Sequence, residues 1–70
     1  MIILKRYKGE DEWSEISEEE FLDDVEGGGA WKEGTALEAL EAVGQISTIW
    51  CVYETKEFQR KKNVWTKRKR

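Results

Sequence analysis

The chain has no proline, no histidine and a single cysteine among its 70 residues. Each absence removes a class of answer. Without proline, glycine is the only strong backbone punctuation. Without histidine, the Ser/His and Cys/His arrangements of nucleophilic catalysis are closed, and so are the common zinc ligand sets. With Cys51 alone, no intrachain disulfide forms. No apolar run approaches the ~20 residues that a membrane span needs. The opening Met1-Ile2-Ile3-Leu4 is too short for a signal-peptide core, and its charges follow it instead of preceding it. An unpaired thiol without an export signal points to a reducing, cytoplasmic compartment, with no membrane partner.

What the chain does have is charge sorted by position. Residues 1–9 carry Lys5, Arg6 and Lys8 and no acid, a net of +3. Residues 10–41 carry 13 Asp/Glu against Lys32 alone, a net of −12. Residues 42–70 carry eight Lys/Arg against Glu54 and Glu57, a net of +6. The overall charge of −3 therefore conceals opposed blocks. Such sorting bears on partners and association, not on fold.

Seventy residues make one domain, which buries only about 60% of its unfolded surface. Domains this small often need added support. With disulfides and zinc set aside, oligomerisation remains, and a homodimer stands as a candidate. Four tryptophans argue against wholesale disorder.

Ile2 to Lys8 reads as a first strand that Gly9 stops. Glu10 to Glu15 reads as an acidic loop holding Trp13. The first helix has a capping box, Ser17 with Glu20, and a hydrophobic staple, Ile16 with Phe21. Glu18, Glu19 and Glu20 fill the first turn, where the helix dipole favours negative charge. Phe21, Leu22 and Val25 form its apolar face, and Gly27-Gly28-Gly29 end it. The second helix repeats the grammar: Thr35 as N-cap, Glu38 at N3, apolar Ala36, Leu37, Leu40 and Val43, and Gly44 as the C′ residue. Ile46 to Thr55 reads as one central strand, apolar on both faces. Two helices cover only one of those faces. A loop bearing Trp13 or Trp31, or a second subunit, must cover the other. Phe58, Val64 and Trp65 fit a third strand in a hairpin with the second.

The pattern predicts an α+β domain over residues 1–66, β-α-α-β with a third strand. Its antiparallel sheet has two or three strands, and both short helices lie on one face. Lys67 to Arg70 form a frayed basic tail.

The chemistry offered by single residues is thin. Cys51 sits mid-strand among apolar neighbours, where a thiol behaves as a small hydrophobe. Asp23 and Asp24 are adjacent on a helix and point about 100° apart, so they share no site. The acids lack EF-hand spacing. Gly29-Ala30-Trp31-Lys32-Glu33-Gly34-Thr35 misses the phosphate-loop pattern because Thr35 stands where Lys is required, and its acidic setting repels phosphate. No metal, no cofactor and no catalytic residue is predicted.

Surfaces carry more. Glu18, Glu19, Asp23, Asp24 and Glu26 give the first helix an acidic face suited to a basic protein surface. Trp31, on mobile backbone between Gly29 and Gly34, is either a core plug or an anchor for a partner, and Trp13 poses the same question. Lys5, Arg6, Lys8, Arg60, Lys61, Lys62, Trp65, Lys67 and Arg68 interleave cations with an aromatic, as nucleic-acid binders do. Against that stands a pI of about 5.0 and no nucleic-acid-binding signature.

Two stretches carry a likeness. Glu12 to Phe21, then Trp31 to Leu40, resemble short phage- and prophage-encoded accessory proteins over the central half of the chain. The resemblance implies a small protein that blocks a host enzyme or defence component, or one that sequesters a nucleotide signal as an oligomer. It transfers no residue roles. The leading expectation is a non-enzymatic module that occludes a host protein with a basic surface. Nucleic-acid binding is the alternative, and nucleotide sequestration the third.

Overall fold

The computed structural model describes the backbone of residues 1–68 and the side chains of residues 1–62. The class is α+β: a four-stranded antiparallel sheet and three helices. In chain order the elements are β1 (Ile3–Tyr7), β2 (Ser14–Ile16), α1 (Glu18–Val25), α2 (Ala36–Val43), β3 (Gln45–Ser47), β4 (Cys51–Thr55) and α3 (Lys56–Arg68). The strands lie in the order β2-β1-β4-β3.

Register decides which side chains meet the helices, because alternate residues point to opposite faces. Ile3 pairs with Ile16 and Thr55, and Lys5 with Ser14 and Tyr53, while Tyr53 also pairs with Ile46. These residues share one face with Tyr7 and Cys51. Over it lie α1 and α2, whose Phe21, Val25, Ala36 and Leu40 join Ile3, Ile46, Cys51 and Tyr53 in the core. The Phe21 ring meets the Tyr53 ring edge-on, 5.3 Å between centroids at 75°, a favoured aromatic geometry.

The helix ends follow local chemistry. Ser17 Oγ accepts the Glu20 amide at 3.1 Å, as the capping box requires. At the far end of α2, Gly44 adopts φ +93°, a left-handed cap that residues with a Cβ rarely adopt. A Cβ there would also lie 2.5 Å from the Phe58 ring, so glycine is required twice over.

Six expectations need correction. Ser14–Ile16 is a strand on the sheet edge, not loop; three residues are too few to show an alternating pattern. Ile46–Thr55 is not one strand but a hairpin, β3 and β4, turning at Thr48–Trp50. The turn has no Gly, Pro, Asn or Asp to announce it. Instead Thr48 Oγ1 accepts the amides of Trp50 and Cys51 at 3.3 and 3.2 Å. The third strand through Phe58, Val64 and Trp65 is helix α3. Thr55 starts it, its hydroxyl accepting the Phe58 amide at 3.0 Å, and strong helix formers follow. Thr35 does not cap α2 with its side chain, which donates to the Lys32 carbonyl instead. Val43, assigned to the apolar face of α2, is exposed. The frayed tail expected at 67–70 begins inside α3, which runs to Arg68, and residues 69 and 70 lie outside those described.

The sheet's second face is covered from both ends. On this face Glu54 is only 1% exposed; Gln45 donates to it and Lys62 of α3 approaches at 3.1 Å. At the other end the Arg6 guanidinium lies 5.3 Å from the Trp13 ring centroid. The loop bearing Trp13 and helix α3 thus each cover part of this face, while Gln45 and Ser47 on it stay exposed. Among the described residues, no helix is long and apolar enough to cross a membrane.

Candidate functional site

The topology gathers three connections at one end of the molecule. β1 ends and β4 begins there, since Tyr7 pairs with Cys51. The β1–β2 connection therefore lies beside the β3–β4 turn, and the Lys8 amide donates to the Trp50 carbonyl at 2.9 Å. α1 starts next to Ile16 at the opposite end and climbs until Asp24 reaches Lys5 and Tyr53. The α1–α2 connection thus lies toward the same end as the other two. Each connection carries one tryptophan: Trp13, Trp31 and Trp50.

The three are not equivalent. Trp31 is half-buried and packs against the core, while its amide donates to the Val25 carbonyl at 2.9 Å. Trp13 is half-buried beside Arg6. Trp50 is 74% exposed and its neighbour Ile49 78% exposed. The two residues proposed from sequence as anchors are thus engaged with their own chain, and the most exposed of these three tryptophans is one that sequence reasoning placed inside a strand. The missed signal is Thr48, whose hydroxyl organises the turn but whose identity does not advertise one.

The turn backbone is held firmly. The Thr48 amide donates to the Cys51 carbonyl at 2.9 Å, and the hydroxyl and Lys8 contacts fix the rest. Two large apolar side chains therefore project from an ordered support. Around them the β1–β2 and α1–α2 connections carry Glu10, Asp11, Glu12, Glu26 and Glu33 against Lys8 and Lys32. The loop end is acidic with an apolar tip.

The five acids of the predicted α1 face divide. Glu18, Glu19 and Asp23 are exposed and make no ion pair among the described residues. Asp24 accepts from Lys5 Nζ at 2.6 Å and from the Tyr53 hydroxyl at 3.0 Å. That hydrogen bond raises the Lys5 pKa above its ordinary 10.5. Burial first, and the Asp24 contact second, push the Tyr53 hydroxyl up from 10.0. Glu26 accepts the Ala36 amide at 3.0 Å, so it supplies the α2 cap expected from Thr35. Amide donation from Ala36, then Gly34, holds its carboxyl below the usual 4.5.

The predicted nucleic-acid residues are likewise dispersed. Lys5 is committed to Asp24, and Arg6 donates to the Glu10 carbonyl at 2.8 Å while flanking Trp13. Lys8 is exposed at the loop end. Lys62 is turned to Glu54, while Arg60 and Lys61 are exposed on α3. Lys67 and Arg68 close α3, and the side chains of Trp65, Lys67 and Arg68 lie outside those described. Strand and helix cations therefore do not form one continuous basic sheet surface.

A cleft of about 270 Å³ between β1 and β2 is lined by Glu10, Glu12 and Glu20 with Lys5 and Tyr7. Its carboxylates repel phosphate, which tells against a nucleotide there. Among the described residues, no three His, Cys, Asp or Glu side chains are grouped to hold a metal. Cys51 is buried, as its apolar surroundings in the sequence suggest. No protein-family model, curated protein or solved structure matches the chain.

Proposed function

We propose that this protein is a small non-enzymatic binding module that occludes a site on another protein, docking through the loop end. The observation that supports this most is the pair Ile49 and Trp50, exposed on a backbone that four hydrogen bonds hold. A tryptophan on a backbone already held in place loses less freedom on binding, and tryptophan is enriched at binding hot spots. The acidic rim, with Glu10, Asp11, Glu12 and Glu33 exposed, favours a partner with a basic surface around an apolar pocket. An inhibitor of a host protein, as the likeness to phage accessory proteins implies, is one form of such a module.

The test compares the parent chain with an Ile49→Ser/Trp50→Ala variant in capture from lysate of the source cells. The same captured protein should be lost with the variant while the melting temperature stays the same. Reversing Glu10, Asp11 and Glu12 should weaken capture most at low salt. Capture unchanged by the tip variant would remove this reading.

A further inference from the structure

The loop end leaves one strongly charged surface unexplained, the outer face of α3. Residues 56–68 carry six Lys/Arg against Glu57 alone. Phe58 packs against Gly44, and Lys62 reaches the buried Glu54, so these two define the inward side of the helix. At 100° per residue, Lys56 and Arg60 stand away from that side and Lys61 flanks it. All three are exposed. Glu57 meets Lys61 at 3.7 Å, both 78% exposed, a pair of little weight. Glu41 borders a cleft with Lys56 and Arg60 but forms no ion pair with either.

A pI of about 5.0 describes the whole chain; along α3 the cations outnumber Glu57, and Glu41 of α2 faces Lys56 and Arg60 across the cleft. The sheet stands between α1 and α2 on one face and the Glu54–Lys62 contact of α3 on the other. Packed layers lie about 10 Å apart, so α1 stands beyond the screening length of about 8 Å at physiological salt, whereas Glu41 of α2 borders the same cleft as Lys56 and Arg60. The acids of α1 therefore do little to repel an anion at α3.

We infer that the outer face of α3 docks on the phosphate backbone of double-stranded DNA through Lys56, Arg60 and Lys61, without reading sequence. The choice of partner follows from energetics. Exposed cations gain little from discrete carboxylates, such as the acidic face of a second copy. They gain more from a duplex, where dense phosphates release condensed counterions. Single strands demand aromatic platforms, and the one aromatic among the described side chains of α3, Phe58, is turned inward. This inference is independent of the loop-end reading, which uses the other end of the molecule.

The test is fluorescence anisotropy of a short labelled duplex of random sequence, titrated with the full chain across a salt series. Three phosphate contacts predict a slope of about −2.7 in log K against log salt, or steeper. Arg60→Gln/Lys61→Gln should flatten the slope by about 1.8 and raise the Kd about tenfold or more. Both positions are exposed, and an unchanged thermal melt confirms the fold. Four results would overturn the proposal: no duplex binding at low salt; equal binding by the variant; tighter binding of a single strand; or sedimentation showing salt-sensitive self-association without duplex binding, which would assign the surface to a second copy.

Discussion

Glu26 and Gly44 show how much of this fold turns on single positions. Glu26 caps α2 from ten residues away. Its folded pKa lies below 4.5, so its contribution to stability is complete above that value and is lost as pH falls through the folded one. A Glu26→Gln variant should therefore melt lower than the parent at neutral pH, with the difference shrinking in acid. Lys5 and Tyr53 have the opposite sign. Both folded pKa values are raised, so their contribution is complete below pH 10.0 and is lost as pH rises further. Alkaline titration followed by circular dichroism should show unfolding that Tyr53→Phe delays. Gly44→Ala meets both a left-handed backbone and the Phe58 ring, and should cost about 1–3 kcal/mol in urea unfolding. Gly29→Ala, at φ +84° with open space around it, should cost less. Cys51, 5% exposed, should resist thiol labelling until the chain unfolds.

The elements divide by the kind of signal that specifies them. α1 is legible because its cap, staple and first-turn acids are all local, and Ser17, Phe21 and Val25 sit where spacing puts them. α2 is legible from Leu40 and Gly44, but its cap is not, because the side chain that caps it belongs to the preceding helix end. The hairpin is hidden because Thr48 organises its turn through a hydroxyl, and Ile49 and Trp50 mimic strand residues. α3 is hidden because its few apolar residues also fit a strand, while the Thr55 cap lies inside the preceding strand. Its docking depends on Glu54, buried and met by Lys62. Removing Lys62 leaves that carboxylate with fewer donors, so Lys62→Met should cost about 1–3 kcal/mol in thermal or urea melts. Glu57→Gln, which breaks only an exposed pair, should fall within about 0.5 kcal/mol of the parent.

At the scale of the whole molecule, the charge blocks of the sequence become places. The acidic block becomes α1, α2 and the loops at one end. The basic C-terminal block becomes α3. The blocks are not wholly apart: Asp24 of the acidic block is neutralised by Lys5 of the basic N-terminal one. What remains unsatisfied is the acidic rim with its apolar tip, and that location was not legible, because it depends on a hairpin that the sequence disguises. The account's central claim is that this tip meets a partner. A photo-crosslinking residue at position 50 tests it most directly, with one at position 43 as control, since Val43 is 66% exposed but lies at the opposite end of the sheet. Position 50 should yield a single discrete crosslinked protein in lysate of the source cells, and position 43 none. Crosslinks from position 43 alone, or from neither, would contradict the account.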